Sequence, residues 1–303
     1  MGKVSTSWRN GLLVLCQRSP MPREEQLSLF SPDLESPPLK PPGDQLERMR
    51  VLITVKAAPT PSETYGETVC VAGLRLDPDC QGWVRLYPIN FRALESEDQF
   101  NKYDVVSLFA KPSRLHDQRP ESWRPRLDSL KIEKKLKGWK KRIPYISGFI
   151  EESMCRIYWR CKEDPQARSL AAIRPKRIYG IEVAPHPPWT PEEQRKIDKY
   201  VNQLALDSSA PRTALEAPRF AAWYRYTCWQ PECRGHRQRI LDWELVALQR
   251  RFRPASDQEL TSIIKEKFFE EMCAPTKDTV FFVGNQAKRR HTFSVLGIYY
   301  PDR

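Results

Sequence analysis

The chain has 303 residues, 40% of them apolar and 11% aromatic, and carries a formal charge of +12 from 50 Lys and Arg against 38 Asp and Glu. That is enough apolar material to bury a core in one large domain or two ordinary ones, and no apolar run approaches the roughly 20 residues that span a bilayer. Residues 1–48 hold six charges of each sign, so the rest of the chain holds the whole excess, 44 against 32. A body this basic points to a polyanion partner, most often nucleic acid, because each phosphate contact releases counterions.

The first apolar run, Gly11 to Cys16 (GLLVLC), is too short for a signal-peptide core and lacks a small-residue cleavage pattern, so the chain reads as soluble and cytoplasmic. Eight cysteines are scattered over the full length, unlike the dense spacing of a secreted disulfide scaffold. Residues 20–42 contain seven prolines among Ser, Glu and Asp. Proline removes backbone donors and fixes φ, so residues 1–48 read as a disordered, partly extended tail. Met21 is a second candidate for the start of the chain.

Inside that tail stand Gln26, Leu27, Ser28, Leu29 and Phe30, the string QLSLF. It resembles the short motif by which bacterial replication and repair proteins dock on the sliding clamp. Three apolar side chains in a segment with no core nearby have no folding role. The resemblance implies that Leu27, Leu29 and Phe30 fill pockets on the clamp while Gln26 anchors the peptide. Burying the three supplies about 5 kcal/mol at roughly 1.5–3 kcal/mol each, less the cost of ordering the peptide.

From Arg50 to about residue 112, β-rich runs alternate with turn signals: VLITV, ETVCVAGLRL, GWVRLYP and DVVSLFA, with LDPDCQG as a hairpin connection. Alternation sets Trp83, Arg85 and Tyr87 on one face and Val84 and Leu86 on the other. The expectation for residues 49–130 is a small antiparallel sheet or open barrel. A polar stretch from Pro112 to Pro144 follows, then a mixed region, a strand at RIYGIEVAP and two capped helices. In the first helix Thr190 caps, Pro191 takes the first position and Glu193 closes the box, ahead of an Ile197, Tyr200, Val201, Leu204 stripe. In the second, Ser256 and Glu259 form the box ahead of Leu260, Ile263, Ile264 and Phe268. The chain closes with a hairpin of basic tip, placed to pair back with the first strands so that the halves share one sheet.

Cys228, Cys233 and His236 stand at C-x4-C-x2-H spacing, with Gly235 bending the chain before the histidine. Thiolates and imidazole around a turn suit tetrahedral Zn2+, with a fourth ligand from Cys155, Cys161 or Cys273, or else an open catalytic position. Asp242 and Glu244 follow and suggest a nuclease using Mg2+ or Mn2+. Leu241, Leu245, Leu248 and Phe252 recur at helical spacing, however, and carboxylates two apart on a helix point away from each other. Asp242 is then a cap, and Glu244 faces solvent or an arginine. His116 and Asp117 form a second acid–base candidate in a loop, but adjacent residues in an extended segment face opposite ways.

Lys131, Lys134, Lys135, Lys137, Lys140, Lys141 and Arg142 surround Trp139, a basic run in which lysines can bind phosphate and the indole can stack on a base. Lys288, Arg289, Arg290 and His291 at the hairpin tip form another, and Arg234, Arg237, Arg239, Arg250, Arg251 and Arg253 lie around the cysteine–histidine cluster. The whole reads as α+β: a tail (1–48), a β-rich domain (49–130) and an α+β domain with a small zinc-supported element (131–303). The expected function is that of a clamp-tethered, nucleoid-associated DNA-binding protein of repair, replication control or defence against foreign DNA. A metal-dependent nuclease and an RNA-binding module are the alternatives.

Overall fold

Alternating apolar residues build the first half. A computed structural model describes residues 40–91, 94, 99–114, 117–202, 213–287 and 289–303. It places six strands early in the chain: β1 (Glu47–Lys56), β2 (Thr60–Ser62), β3 (Gly66–Arg75), β4 (Gly82–Ile89), β5 (Asp104–Pro112) and β6 (Ser122–Lys135). β1 pairs with both β5 and β3, and the circuit continues through β6 and β4. Five strands therefore close into a barrel, with β2 attached to β3. The barrel is closed rather than open, and β4 and β6 run parallel where antiparallel pairing was expected. Counted in chain order, the barrel strands join first–second–third–fifth–fourth–first, the connectivity of the OB-type Greek-key barrel.

The barrel closes tightly along β1 and β3. A Cβ on Gly73 would lie 2.2 Å from the Leu52 carbonyl oxygen, so only glycine lets the two backbones approach there. The interior holds Val51, Ile53, Val71, Leu86, Val106 and Leu108, with Phe91 and Phe100 plugging one end. β6 was read as part of a polar stretch, because its outward positions carry Arg124, Arg126 and Asp128 and its ladder with β5 is broken by bulges. It carries the sheet to Lys135, past residue 130. β1 begins at Glu47. Upstream, Lys40 donates to the carbonyls of Ser113 (2.5 Å) and Arg119 (2.7 Å), which fixes the point where the chain joins the barrel.

The second half comprises α1 (Ile143–Ile146), β7 (Ile150–Glu151), α2 (Met154–Glu163), β8 (Leu170–Ile173), β9 (Arg177–Pro185), α3 (Pro191–Asn202), β10 (Phe220–Thr227), β11 (His236–Arg239), α4 (Trp243–Arg251), α5 (Asp257–Lys265), β12 (Val280–Gln286) and β13 (Arg289–Tyr299). Both expected capping boxes are present. Thr190 and Glu193 exchange bonds of 2.9 and 3.3 Å, and Ser256 and Glu259 bonds of 2.8 and 3.3 Å. Of the α3 stripe, Ile197 is buried and Val201 exposed, while Leu204 lies outside the described residues.

Two sheets organise this half: β13-β12-β8-β7 and β11-β10-β9. The terminal hairpin pairs with β8 instead of the first strands, so the halves do not share a sheet. They share a core. One face of the four-stranded sheet, with Leu170, Ala172, Val280 and Phe282, packs on the outer face of the barrel at Leu52, Ala72, Leu74 and Trp83. Its other face, with Ala171, Ile173, Phe281 and Val283, packs against α2, α5 and the three-stranded sheet. The layers are barrel, four-stranded sheet, then helices with the three-stranded sheet, whose outer face meets solvent.

Candidate functional site

The interface between the layers determines which polar groups remain free. Of the face that alternation gives to Trp83, Arg85 and Tyr87, the first two are covered: Trp83 packs edge-on to Phe282, and Arg85 donates to Ser169 Oγ at 3.0 Å, while Tyr87 stays exposed. OB barrels bind oligonucleotides on the face of their second and third strands. Here those strands are β3 and β4, and the second half occupies most of that face. The loop after β5 is bound in as well. Asp117 accepts from Arg119 Nε (2.8 Å) and Ser122 Oγ (2.8 Å), and Arg119 reaches Asn285 Oδ1 at 3.2 Å. Burial raises the Asp117 carboxyl, but the hydrogen bond and charge of Arg119 outweigh it and hold the group below the ordinary carboxylate range. Asp117 is a buried interface residue with its oxygens taken. His116 lies outside the described residues.

Asp242 is the cap that was expected and Glu244 is half exposed, but the two carboxylates do not diverge. Asp242 caps α4, accepting from the Glu244 amide at 3.0 Å. As a cap its backbone is extended, at φ −79° and ψ 133°, so the helical argument for divergence does not hold. Both carboxylates meet on one ammonium: Lys102 Nζ lies 2.7 Å from Asp242 and 3.0 Å from Glu244. Burial works against that charge, but the two carboxylates outweigh it and hold Lys102 above its ordinary range. Lys102 occupies the space between the two carboxylates.

The cysteine–histidine cluster closes on itself. Cys228 follows β10 directly, Cys233 ends a turn in which its amide donates to the Gln230 carbonyl (3.0 Å), and His236 opens β11 after Gly235 at φ +101°. The fourth group is Cys155, on the first turn of α2, held nearby by a bond from the Trp229 amide to the Glu152 carbonyl (2.9 Å). Cys161 and Cys273 lie elsewhere, donating to the carbonyls of Arg168 and Phe268. The donor atoms of Cys155, Cys228, Cys233 and His236 all lie within 4.8 Å of one another, a group that could hold a metal ion.

The separations are informative. Cys228 and Cys155 sulfurs are 3.7 Å apart, and His236 Nε2 lies 3.3, 3.5 and 3.6 Å from Cys233, Cys228 and Cys155. A tetrahedron with bonds of about 2.3 Å to sulfur and 2.0 Å to nitrogen has edges of about 3.8 and 3.5 Å. The group is compatible with zinc and supplies all four tetrahedral positions. The Cys228 amide points at the Cys233 sulfur (3.4 Å), and the Tyr226 ring packs on the imidazole with centroids 5.0 Å apart. Burial, followed by the neighbouring sulfurs, pushes the Cys155 thiol up, and burial pushes the His236 imidazolium down. Burial thus leaves the imidazole neutral, the form that binds a metal, and a bound cation would favour the Cys155 thiolate that burial disfavours.

The basic run divides in two. Lys134, Lys135, Lys137, Lys140 and Lys141 are exposed along the end of β6 and the turn after it. Trp139 and Arg142 turn inward instead. The indole meets Tyr103, Tyr299 and Tyr300 edge-on, at centroid distances of 5.8, 5.2 and 4.9 Å, and the Arg142 guanidinium lies 3.8 Å over the Tyr103 ring. An indole so used within the fold is not free to stack on a base. At the hairpin tip Arg289 is exposed and Arg290 half-buried. Lys288 and the string Gln26 to Phe30 lie outside the described residues. Among those residues, no helix is long and apolar enough to cross a membrane.

Fold and site together define an OB-type barrel fused to an α+β unit that carries a three-cysteine, one-histidine cluster. The model of the family described as Domain of unknown function (DUF8757) matches residues 150–303, just over half of the chain, and the chain belongs to that family. A second family model, Domain of unknown function (DUF8758), matches residues 47–148, the barrel and the basic turn after it. No curated protein matches the chain.

Proposed function

We propose that the protein is a DNA-binding accessory factor, tethered to the bacterial sliding clamp by QLSLF and braced by a structural zinc. One observation carries DNA binding: the exposed ridge of Lys134, Lys135, Lys137, Lys140 and Lys141, with Lys131 beside it. The acid in this run, Glu133, is already bonded to Arg50 at 2.7 Å, so the ridge keeps its positive field. Lysines of this kind hold phosphates without reading bases. A ring threaded on DNA would raise their effective concentration at the duplex.

The tether has a bounded reach. Phe30 lies ten residues before the anchored Lys40, and ten residues span at most about 35 Å. A clamp holding Leu29 and Phe30 thus keeps the body within one domain's width. Zinc on Cys155, Cys228, Cys233 and His236 ties α2 to the β10–β11 hairpin, with no coordination position left for a substrate. Two measurements test the reading. Duplex affinity at fixed salt is expected to fall about tenfold or more in Lys134→Glu/Lys140→Glu, with a shallower salt dependence. Retention on immobilised clamp is expected to vanish in Leu29→Ala/Phe30→Ala. Unchanged duplex binding removes the ridge from the account, and unchanged retention removes the tether.

A further inference from the structure

The solvent-facing side of β9, β10 and β11 combines charge with aromatic rings, and its arrangement is specific. The ladder pairs Arg225 with Arg237 on one side and Gly180 on the other, then jumps to pair Tyr226 with Ile178. Tyr179 is the residue skipped, the extra residue of a bulge. Bulges re-aim side chains, and this one stands the phenol out from the sheet at 55% exposure. Trp229, just past β10, is 49% exposed. These are the two most exposed large apolar side chains among the described residues, Tyr179 on the sheet and Trp229 at its β10 end, where it lines a cleft with Glu151, Glu152 and Arg156. Each has a cation at its ring, Arg177 at 5.1 Å from Tyr179 and Lys176 at 5.7 Å from Trp229. Arg225 and Arg237 complete the basic set. The acid among them, Glu182, is held by Arg237 at 2.7 Å and Arg225 at 3.3 Å.

From this juxtaposition we infer that the outer face of the three-stranded sheet binds single-stranded DNA, its bases stacking on Tyr179 and Trp229 and its phosphates meeting Arg177, Arg225 and Arg237. Duplex bases are already stacked on one another and cannot lie flat on a proud ring; unpaired bases can. The barrel's own oligonucleotide face is largely covered, at Ala72, Leu74, Trp83 and Arg85, whereas this sheet leaves its rings and arginines open to solvent. The zinc-compatible cluster lies directly beneath, joining β11 at His236 to the segment that carries Trp229, and so fixes the second ring relative to the first. This inference rests on the DNA-binding reading but uses elements other than the lysine ridge.

The test uses the full chain with its metal and fluorescence anisotropy at fixed salt. The probes are an oligothymidylate of about 16 nucleotides, a duplex of the same length and a matched RNA strand. Tyr179→Ala/Trp229→Ala is expected to weaken single-strand binding by about fivefold or more per ring, since a stacked base contributes about 1–3 kcal/mol. Duplex binding should stay within twofold. Tyr179→Ala alone, remote from the metal ligands, should give half of the loss on a logarithmic scale. Melting temperature and metal content confirm that both variants fold. Wild-type single-strand affinity in the folded double variant overturns the inference, as does RNA bound more tightly than DNA. If the wild type binds duplex but no single strand, this inference fails alone. If it binds neither, the DNA-binding reading fails with it.

Discussion

Lys102, at the end of the loop before β5, and Asp242, the cap of α4, form an ion pair of 2.7 Å in which the carboxylate is wholly buried. The pair joins barrel to α+β unit, and neither partner has water to fall back on. Removing Lys102 leaves Asp242, which burial already raises to about 6, buried without its counter-charge. Lys102→Met is expected to cost about 3–5 kcal/mol, read from urea unfolding, and Lys102→Met/Asp242→Asn to recover part of it. Asparagine keeps the cap, so the recovery isolates charge from helix capping.

Metal content follows the geometry of the cluster. The purified protein is expected to carry one zinc per chain by elemental analysis. Cys155→Ser should abolish it as effectively as Cys228→Ser, and Cys161→Ser and Cys273→Ser should keep it. Loss of the ion should lower the melting temperature by roughly 10 °C, since each kcal/mol moves a chain of this size by about 2–4 °C. Zinc retained by Cys155→Ser would place the fourth ligand elsewhere.

Gly73 tests closure of the barrel. A methyl group there meets the Leu52 carbonyl oxygen at 2.2 Å and Val51 Cγ1 at 2.7 Å. Backbone cannot swing aside as a side chain can, so Gly73→Ala should destabilise by about 4 kcal/mol or more. Denaturant unfolding, or loss of soluble expression, reads the effect.

Lys56 gives the chain a pH signature. Its ammonium sits 4.0 Å over the Phe91 ring and donates to the Phe100 carbonyl at 3.1 Å. Burial first, and Lys102 second, lower it from 10.5 to about 8. Between these values the unfolded chain binds a proton that the folded chain does not, so the Lys56 contribution to stability rises with pH across that window. Lys56→Met should therefore be more stable than wild type at neutral pH, with the gap narrowing as pH approaches 10.5.

Local signals were legible in the sequence, and long-range partnerships were not. Both capping boxes could be read directly, because a box is a contract between residues three apart. Three members of the cysteine–histidine cluster were legible for the same reason. Cys155, far up the chain, was one of three candidates until α2 packed on the β10–β11 hairpin. Strand β6 was hidden because its outward residues are charged and bulges interrupt its alternation. Asp242 was legible as a cap, but the expected divergence from Glu244 failed at one backbone angle: the residue before a helix does not obey the helix's rotation. Trp139 sits in a lysine-rich run, yet Tyr299 and Tyr300, at the other end of the chain, claim its ring. Tyr179 is turned out by a bulge, and Trp229 is placed by the cysteine–histidine turn, neither of which a local pattern announces.

The seam between Trp83 and Phe282 has a consequence for anyone dividing this chain. The two family models part company near residue 149, which invites separate cloning of the pieces. Either fragment made alone would present a greasy wall to water and precipitate or self-associate. Produced together, the pieces should find each other unaided, a ready-made pair of complementing fragments.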